Sequence, residues 1–218
     1  MSEKLTSQFR WRALAVLVLL LVLSDQILKI WVKLNFQLGE EMPILGLDWA
    51  RLRFVENKGM AFGWLIGDEW GQTFLAIIRV FAIAFLLFAI KYFSKIRAPF
   101  SLLVFLCLLL AGAIGNTIDS VFYGFLFSVS PFHGGLAEWW PEGGGYAPLF
   151  QGRVVDMLYF PLVDTHWPDW FLWLGGRELK LFDPIFNLAD IYVLTGIAGL
   201  LIVGRRYLFR GHKGDDQP

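Results

Sequence analysis

Residues 13–24 read ALAVLVLLLVLS, a charge-free run that continues as DQILKIWVKL to position 34. A helix needs on the order of 20 mostly apolar residues to cross the hydrocarbon core of a bilayer, so 11–34 is long enough to span. Three further runs pass the same test: 71–90 with Arg79 as its sole charge, 98–118 with none, and 184–204 with only Asp190. The composition agrees, since 56% apolar and 17% charged residues in a chain of 218 is too apolar for an ordinary soluble domain. The expected architecture is an all-α membrane protein of four transmembrane helices forming a single domain, 1–218. A cleaved leader is the competing reading of the first run, because Lys4, Arg10 and Arg12 precede it. Against that, Val22-Leu23-Ser24-Asp25 is a poor small-x-small cleavage site, and the apolar pattern continues through Trp31 and Leu34, as an uncleaved anchor would.

Lys and Arg near the span ends set the orientation. They fall in the N-terminal tail (Lys4, Arg10, Arg12), the second connection (Lys91, Lys95, Arg97) and the C-terminal tail (Arg205, Arg206, Arg210, Lys213). Both termini are therefore expected in the cytoplasm, with outer loops at 35–70 and 119–183. In the first outer loop, 47–54 mixes apolar and basic residues and Asn57-Lys58-Gly59 tolerates a tight turn, so a small β-rich periplasmic element is expected there. The extended second loop is too long for a plain connection. Its middle holds His133-Gly134-Gly135, Glu138-Trp139-Trp140-Pro141 and Gly143-Gly144-Gly145, and reads as either a mobile insertion or an interfacial element. Residues 211–218 read as a disordered polar tail.

Several chemistries are excluded. Nineteen basic and nineteen acidic residues leave no net charge, which argues against a nucleic-acid partner. A lone Cys107 excludes an internal disulfide framework and any multi-cysteine metal site. No HExxH or GxGD occurs, and His133, His166 and His212 all lie outside the spans, so zinc and Ser/His intramembrane proteolysis are not expected. Neither a metal nor an organic cofactor is expected.

An ionisable group within a span costs about 2.5–3.5 kcal/mol even on lenient insertion scales, so each needs a partner or a task. With the N-terminus inside, Asp25, Lys29, Arg79, Asn116, Asp119, Asn187 and Asp190 all fall in the outer leaflet. Asp25 and Lys29 form an i,i+4 pair suited to mutual neutralisation. Arg79 reads as a counter-ion or a snorkelling residue, and Asn57, Asn116 and Asn187 as caps or cross-links between helices. Asp156, set among Val154, Val155, Met157, Leu158, Tyr159 and Phe160, reads as a loop carboxylate dipping toward the membrane. Two carboxylates at one depth, Asp156 and Asp190, suit a shared proton and aspartyl-protease chemistry. An ion or proton pathway and plain structural pairing remain open on spacing alone.

Five phrases in order resemble the lipoprotein signal peptidases (signal peptidase II) of bacterial inner membranes: Asp25-Gln-Ile-Leu-Lys29, Asn57-Lys-Gly-Met-Ala-Phe62, Gly115-Asn-Thr-Ile-Asp119, Val154-Val-Asp156 and Phe186-Asn-Leu-Ala-Asp190. The resemblance covers the spans and both outer loops. It implies Asp156 and Asp190 as catalytic residues, Asn57, Asn116, Asp119 and Asn187 as substrate-binding or site-supporting groups, and Asp25 with Lys29 as a structural motif. It further implies an endopeptidase of the inner membrane that acts toward the periplasmic leaflet. The enzyme would cut a diacylglyceryl-modified prolipoprotein before its lipidated cysteine, among membrane lipid, as a monomer, and would be blocked by globomycin. Two departures stand out. Ser120 occupies a position where the family has arginine, for which Arg79 or Arg153 would compensate, and the 124–152 insertion is longer than in familiar members. A small transporter and an assembly subunit without chemistry are the rival readings.

Overall fold

The computed structural model describes residues 2–58, 68–161, 163–166, 168–181 and 184–211. Gly59 to Phe62 of the second phrase, and His212 with the rest of the expected tail, lie outside the described residues. In chain order the elements are α1 (Ser2–Asn35), β1 (Glu41–Ile44), β2 (Leu47–Asn57), α2 (Asp68–Lys95) and α3 (Phe100–Ile118). A π-helical turn (Asp119–Tyr123) joins α3 to a short α4 (Gly124–Leu126). Then follow β3 (Val154–Tyr159), β4 (Val163–His166), β5 (Glu178–Leu181), β6 (Ile185–Phe186) and α5 (Leu188–Gly211).

Four helical stretches are long and apolar enough to cross a membrane: Arg10–Asn35, Gly71–Lys95, Phe100–Leu126 and Leu188–Arg205. Leu20, Ile27, Phe81, Phe85, Leu194 and Leu201 are each more than half exposed, forming the apolar surface that a bilayer would cover. Helix bounds depart from the apolar runs for local reasons. Pro99, which has no N–H and an extended ψ of 138°, precedes the first residue of α3, so that helix starts at Phe100 and not at 98. The fourth starts at Leu188 and not at 184, because Ile185 and Phe186 pair as a strand with Tyr159 and Leu158. Gly211, expected in the tail, is the last residue of α5. Close approach of α3 to α5 depends on small residues: a Cβ on Gly112 would lie 2.4 Å from the Ala189 carbonyl oxygen.

Four strands form one antiparallel sheet in the order β1-β2-β3-β6, and β4 pairs with β5 in a separate ribbon. The β-rich element expected within 35–70 thus also draws in strands from 119–186. Asn57 is the last residue of β2, opposite Val154, and Gly59 of the expected turn lies outside the described residues. Asp156 is not a loop residue: it lies on β3, a strand buried at every position and flanked by β2 and β6. An unbroken apolar setting suits such a central strand, which is covered on both faces. Val155 and Met157 pack with Val32, Phe36, Phe54, Tyr123 and Phe127 in a core between the C-terminal end of α1, the sheet and the turn that follows α3.

The 124–152 segment folds back on the end of α3. Backbone N–H groups of Trp140, Tyr146, Ala147, Phe150 and Gly152 donate to the carbonyls of Leu126, Phe127, Gly124, Val121 and Ser120 respectively. Trp139 and Trp140 set their rings edge-on against Phe127 and Phe125. This strap returns the chain to β3 at a fixed point. A Cβ at Gly152 would lie 2.0 Å from the Asp119 carbonyl oxygen, whereas one at Gly143 meets nothing within 4 Å. Gly152→Ala should therefore cost about 1–3 kcal/mol or more, the range for overpacking, and Gly143→Ala close to nothing. Thermal unfolding of both variants in detergent checks this.

Candidate active site

At the start of α5, Asn187 and Asp190 cap each other. The Asp190 N–H donates to Asn187 Oδ1 at 3.1 Å, and the Asn187 N–H donates to Asp190 Oδ2 at 3.2 Å. This is the reciprocal capping box, with Asn at the cap and Asp three residues on, and it fixes the Asp190 carboxylate at the helix mouth. Asn116 Nδ2, from α3, donates to the other oxygen, Asp190 Oδ1, at 3.0 Å.

Asp156 is brought to the same place by the sheet. Asn187 Nδ2 donates to Asp156 Oδ1 at 2.6 Å, and Asn57 Nδ2, from β2, to Asp156 Oδ2 at 3.3 Å. Asn187 Nδ2 also lies 3.2 Å from Asn116 Oδ1. Two amides thus bridge two carboxylates that stand 34 positions apart in the chain. Asp156 is only 5% exposed. Burial is the main cause, and the negative charge of Asp190 the next, that pushes its carboxyl up from the ordinary range to about 7, against the opposing hydrogen bonds from Asn187 and Asn57.

Behind the pair lies a buried ionic cluster. The Lys29 ammonium contacts Asp25 Oδ2, Asp119 Oδ2 and Asn116 Oδ1, each at 2.9 Å. Asp25 Oδ1 accepts the Ala189 N–H at 3.0 Å, and Asp119 Oδ2 accepts the Val155 N–H at 3.1 Å. Gln26 Nε2 donates to Asp119 Oδ1 at 2.9 Å, while Tyr123 Oη donates to Gln26 Oε1 at 3.1 Å. Asp119 therefore does not touch either carboxylate of the pair; it holds the backbone beside Asp156. Of the two arginines expected to offset Ser120, Arg79 donates to the Ser120 hydroxyl, whereas Arg153 pairs with Glu56 at 3.2 Å. The charge of Arg79 also acts on Asp119, Asp190 and Asp156.

All eight residues singled out in the sequence thus join one connected network. Reading the sequence missed Gln26, Tyr123 and the ion pair of Lys33 with Glu56. Lys33 carried a usable signal, since it lies one turn beyond Lys29 on the same face of α1. Gln26 and Tyr123 carried none, because they meet only through the fold. Among the described residues, no three His, Cys, Asp or Glu side chains gather as a metal-holding group. A neutral acid beside an ionised one, with amides orienting both, can activate water and protonate a leaving group.

The chain matches known proteins over nearly its whole length. A family profile described as Signal peptidase (SPase) II matches residues 17–205. A lipoprotein signal peptidase of Porphyromonas gingivalis is 39% identical over 95% of this chain and 93% of its own length. That of Amoebophilus asiaticus is 37% identical over 87% of this chain and 76% of its own. A solved bacterial membrane enzyme shares the fold at a TM-score of 0.55 and 21% identity, covering 94% of this chain and 93% of that one. The rival readings as a transporter or a subunit without chemistry fall away, and the chain belongs to the signal peptidase II family, the membrane-embedded aspartic peptidases known as lipoprotein signal peptidases.

Proposed function

We propose that Asp156 and Asp190 are the catalytic pair, and that the enzyme hydrolyses the peptide bond immediately before the diacylglyceryl-modified cysteine of a prolipoprotein. The observation that carries this reading is the amide-bridged carboxylate pair, in which burial and Asp190 together keep Asp156 protonated up to about pH 7. Asp190, less buried at the mouth of α5, serves as the base that takes a proton from water. The water oxygen bonds to the scissile carbonyl carbon, and Asp156 supplies the proton that lets the amide nitrogen leave as the amine of the lipidated cysteine. The signal peptide departs as a carboxylic acid, which releases its proton to solvent, and the proton taken by Asp190 passes to Asp156 to restore the pair. Asn57, Asn116 and Asn187 hold the pair and border the substrate, Asp119 supports the β3 backbone, and Asp25 with Lys29 holds the spans.

The domain is the single unit 1–218, multi-pass in the bacterial cytoplasmic membrane, with both termini in the cytoplasm and the site toward the periplasmic leaflet. The distribution of Lys and Arg supports this orientation, because the N-terminal tail, the second connection and the C-terminal tail hold ten of the nineteen and adjoin the span ends opposite the carboxylate pair. Lipid chains of the substrate then stay in the outer leaflet while its signal helix lies among the spans. A monomer suffices for this chemistry, since one chain supplies both carboxylates and their amides.

Purified enzyme in detergent should process a diacylglyceryl-modified precursor, and globomycin should block it. Asp156→Asn and Asp190→Asn should each lower turnover by about 10²–10⁴-fold or more with thermal unfolding unchanged in cooperativity; full activity in either variant refutes the assignment. The pH dependence has a fixed sign. Because Asp156 is shifted upward, its proton is in place at low pH and lost as pH rises through about 7. Above that point kcat/KM should fall, whereas the stability contributed by the neutral buried acid is fully present below the ordinary aspartate value near 3.8 and is lost as pH rises from there to about 7. Rate measurements from about pH 5 to 9 read the limb directly. Finally, Arg79→Ala should reduce kcat/KM by about tenfold or more, equivalent to about 1.4 kcal/mol of transition-state stabilisation, because Arg79 is the cation that reaches Ser120 and the field of both aspartates.

A further inference from the structure

Next to the catalytic network, and not used by it, is a second buried charge cluster. The Lys33 ammonium, fully buried, pairs with Glu56, whose side chain is 2% exposed. Lys33 Nζ donates to Ser130 Oγ at 2.9 Å, Ser130 Oγ donates to Glu56 Oε1 at 2.7 Å, and Arg153 Nη1 donates to Glu56 Oε2 at 3.2 Å. Tyr146 closes the group. Lys33 Nζ and the Arg153 guanidinium lie 5.2 Å and 5.3 Å from its ring centroid, and its hydroxyl accepts the Arg153 N–H at 2.7 Å. Four parts of the chain meet here: α1, β2, the segment after α4, and the residue that leads into β3.

The register of the sheet gives this cluster its consequence. In the β2–β3 pair, Val55 stands opposite Asp156, Glu56 opposite Val155, and Asn57 opposite Val154. Side chains alternate across a strand, so Asn57 and Asp156 share the site face while Glu56 and Val155 share the core face. Glu56 is thus a carboxylate on the face that carries Phe54 and Val155 of an apolar cluster. A buried ion pair is weak evidence for stability, since well-packed apolar residues often serve as well or better. What the cluster does supply is direction at both strands: Glu56 is held immediately before Asn57, and Arg153 is anchored three residues before Asp156.

We propose that Lys33, Glu56 and Arg153, closed by Ser130 and Tyr146, are positioning residues that set the Asn57 amide against Asp156, so that the 124–152 segment belongs to the active-site scaffold. The proposal rests on Asp156 being catalytic, and Glu56 acts through Asn57 without touching substrate.

The test is a double-mutant cycle between Glu56→Gln and Asn57→Ala, read by steady-state kinetics on the lipidated precursor and by infrared titration of the Asp156 carboxyl, identified by its loss in Asp156→Asn. Glu56→Gln should lower kcat about tenfold with KM nearly unchanged, and should move the Asp156 titration. In the Asn57→Ala background the same substitution should change neither by more than about twofold, because the group it acts through is gone. If Glu56→Gln alone fails to fold, the pair Lys33→Met/Glu56→Gln, which leaves no lysine or glutamate unpaired, takes its place in the cycle. Rate losses that multiply in the cycle, or a Glu56→Gln enzyme with full kcat and an unmoved titration, overturn the proposal. Should the wild-type enzyme leave the precursor uncut, the catalytic reading fails instead, and the titration arm still decides whether Glu56 acts on Asp156 through Asn57.

Discussion

One ammonium group organises this molecule. Lys29 places its three donors on Asp25, Asp119 and Asn116, which uses the full bonding capacity of a protonated lysine. Removing water from such a charge is expensive, and the geometry that offsets the cost is demanding, so the cluster tolerates one arrangement of α1 and α3. Its acceptors extend the constraint outward. Asp25 fixes the first turn of α5 through the Ala189 N–H, and Asp119 fixes β3 through the Val155 N–H. Asn116, with its oxygen turned to Lys29, must turn its nitrogen toward Asp190. A residue behind the carboxylate pair therefore decides the orientation of the groups that form it.

The two carboxylates of the pair arrive by different physics. Asp190 is placed by local chemistry, a capping box within four residues whose geometry follows from the helix start itself. Asp156 is placed by long-range pairing on a strand that is central in its sheet and closed on both faces. That difference gives them unequal environments. Asp156 is deeply buried and kept neutral to about pH 7, while Asp190 stays nearer the edge. Unequal environments are what separate an acid from a base when both are aspartates.

The long connection between α3 and β3 changes character once its packing is known. Its glycines and tryptophans suggested a surface feature, yet five backbone N–H groups within 140–152 bond to the π-turn and α4 region that follows α3, and Ser130 and Tyr146 reach into a buried charge cluster beside β2 and β3. The Trp139 and Trp140 rings, about half or more exposed, pack at the outer side of this strap. Gly152 permits the closest contact, where the chain passes against the Asp119 carbonyl and turns into β3.

Four apolar runs, the basic segments between them and five ordered polar phrases were legible without coordinates, because each is a local property: hydropathy over the width of a bilayer, or side chains at helical spacing. Even the cap at Asn187 and Asp190 is written in four consecutive residues. Missing from any local reading were the strand identity of Asp156, the choice of Arg79 over Arg153 as neighbour of Ser120, and the convergence of Gln26, Tyr123, Lys33 and Glu56. Those depend on register and on which helix faces meet, terms set by contacts between residues far apart in the chain. The sequence by itself determined a four-span membrane peptidase and singled out Asp156 and Asp190 as a candidate pair; only the tertiary structure decided what holds them together and which is buried, because burial and amide bridging exist only once β3, α3 and α5 have packed.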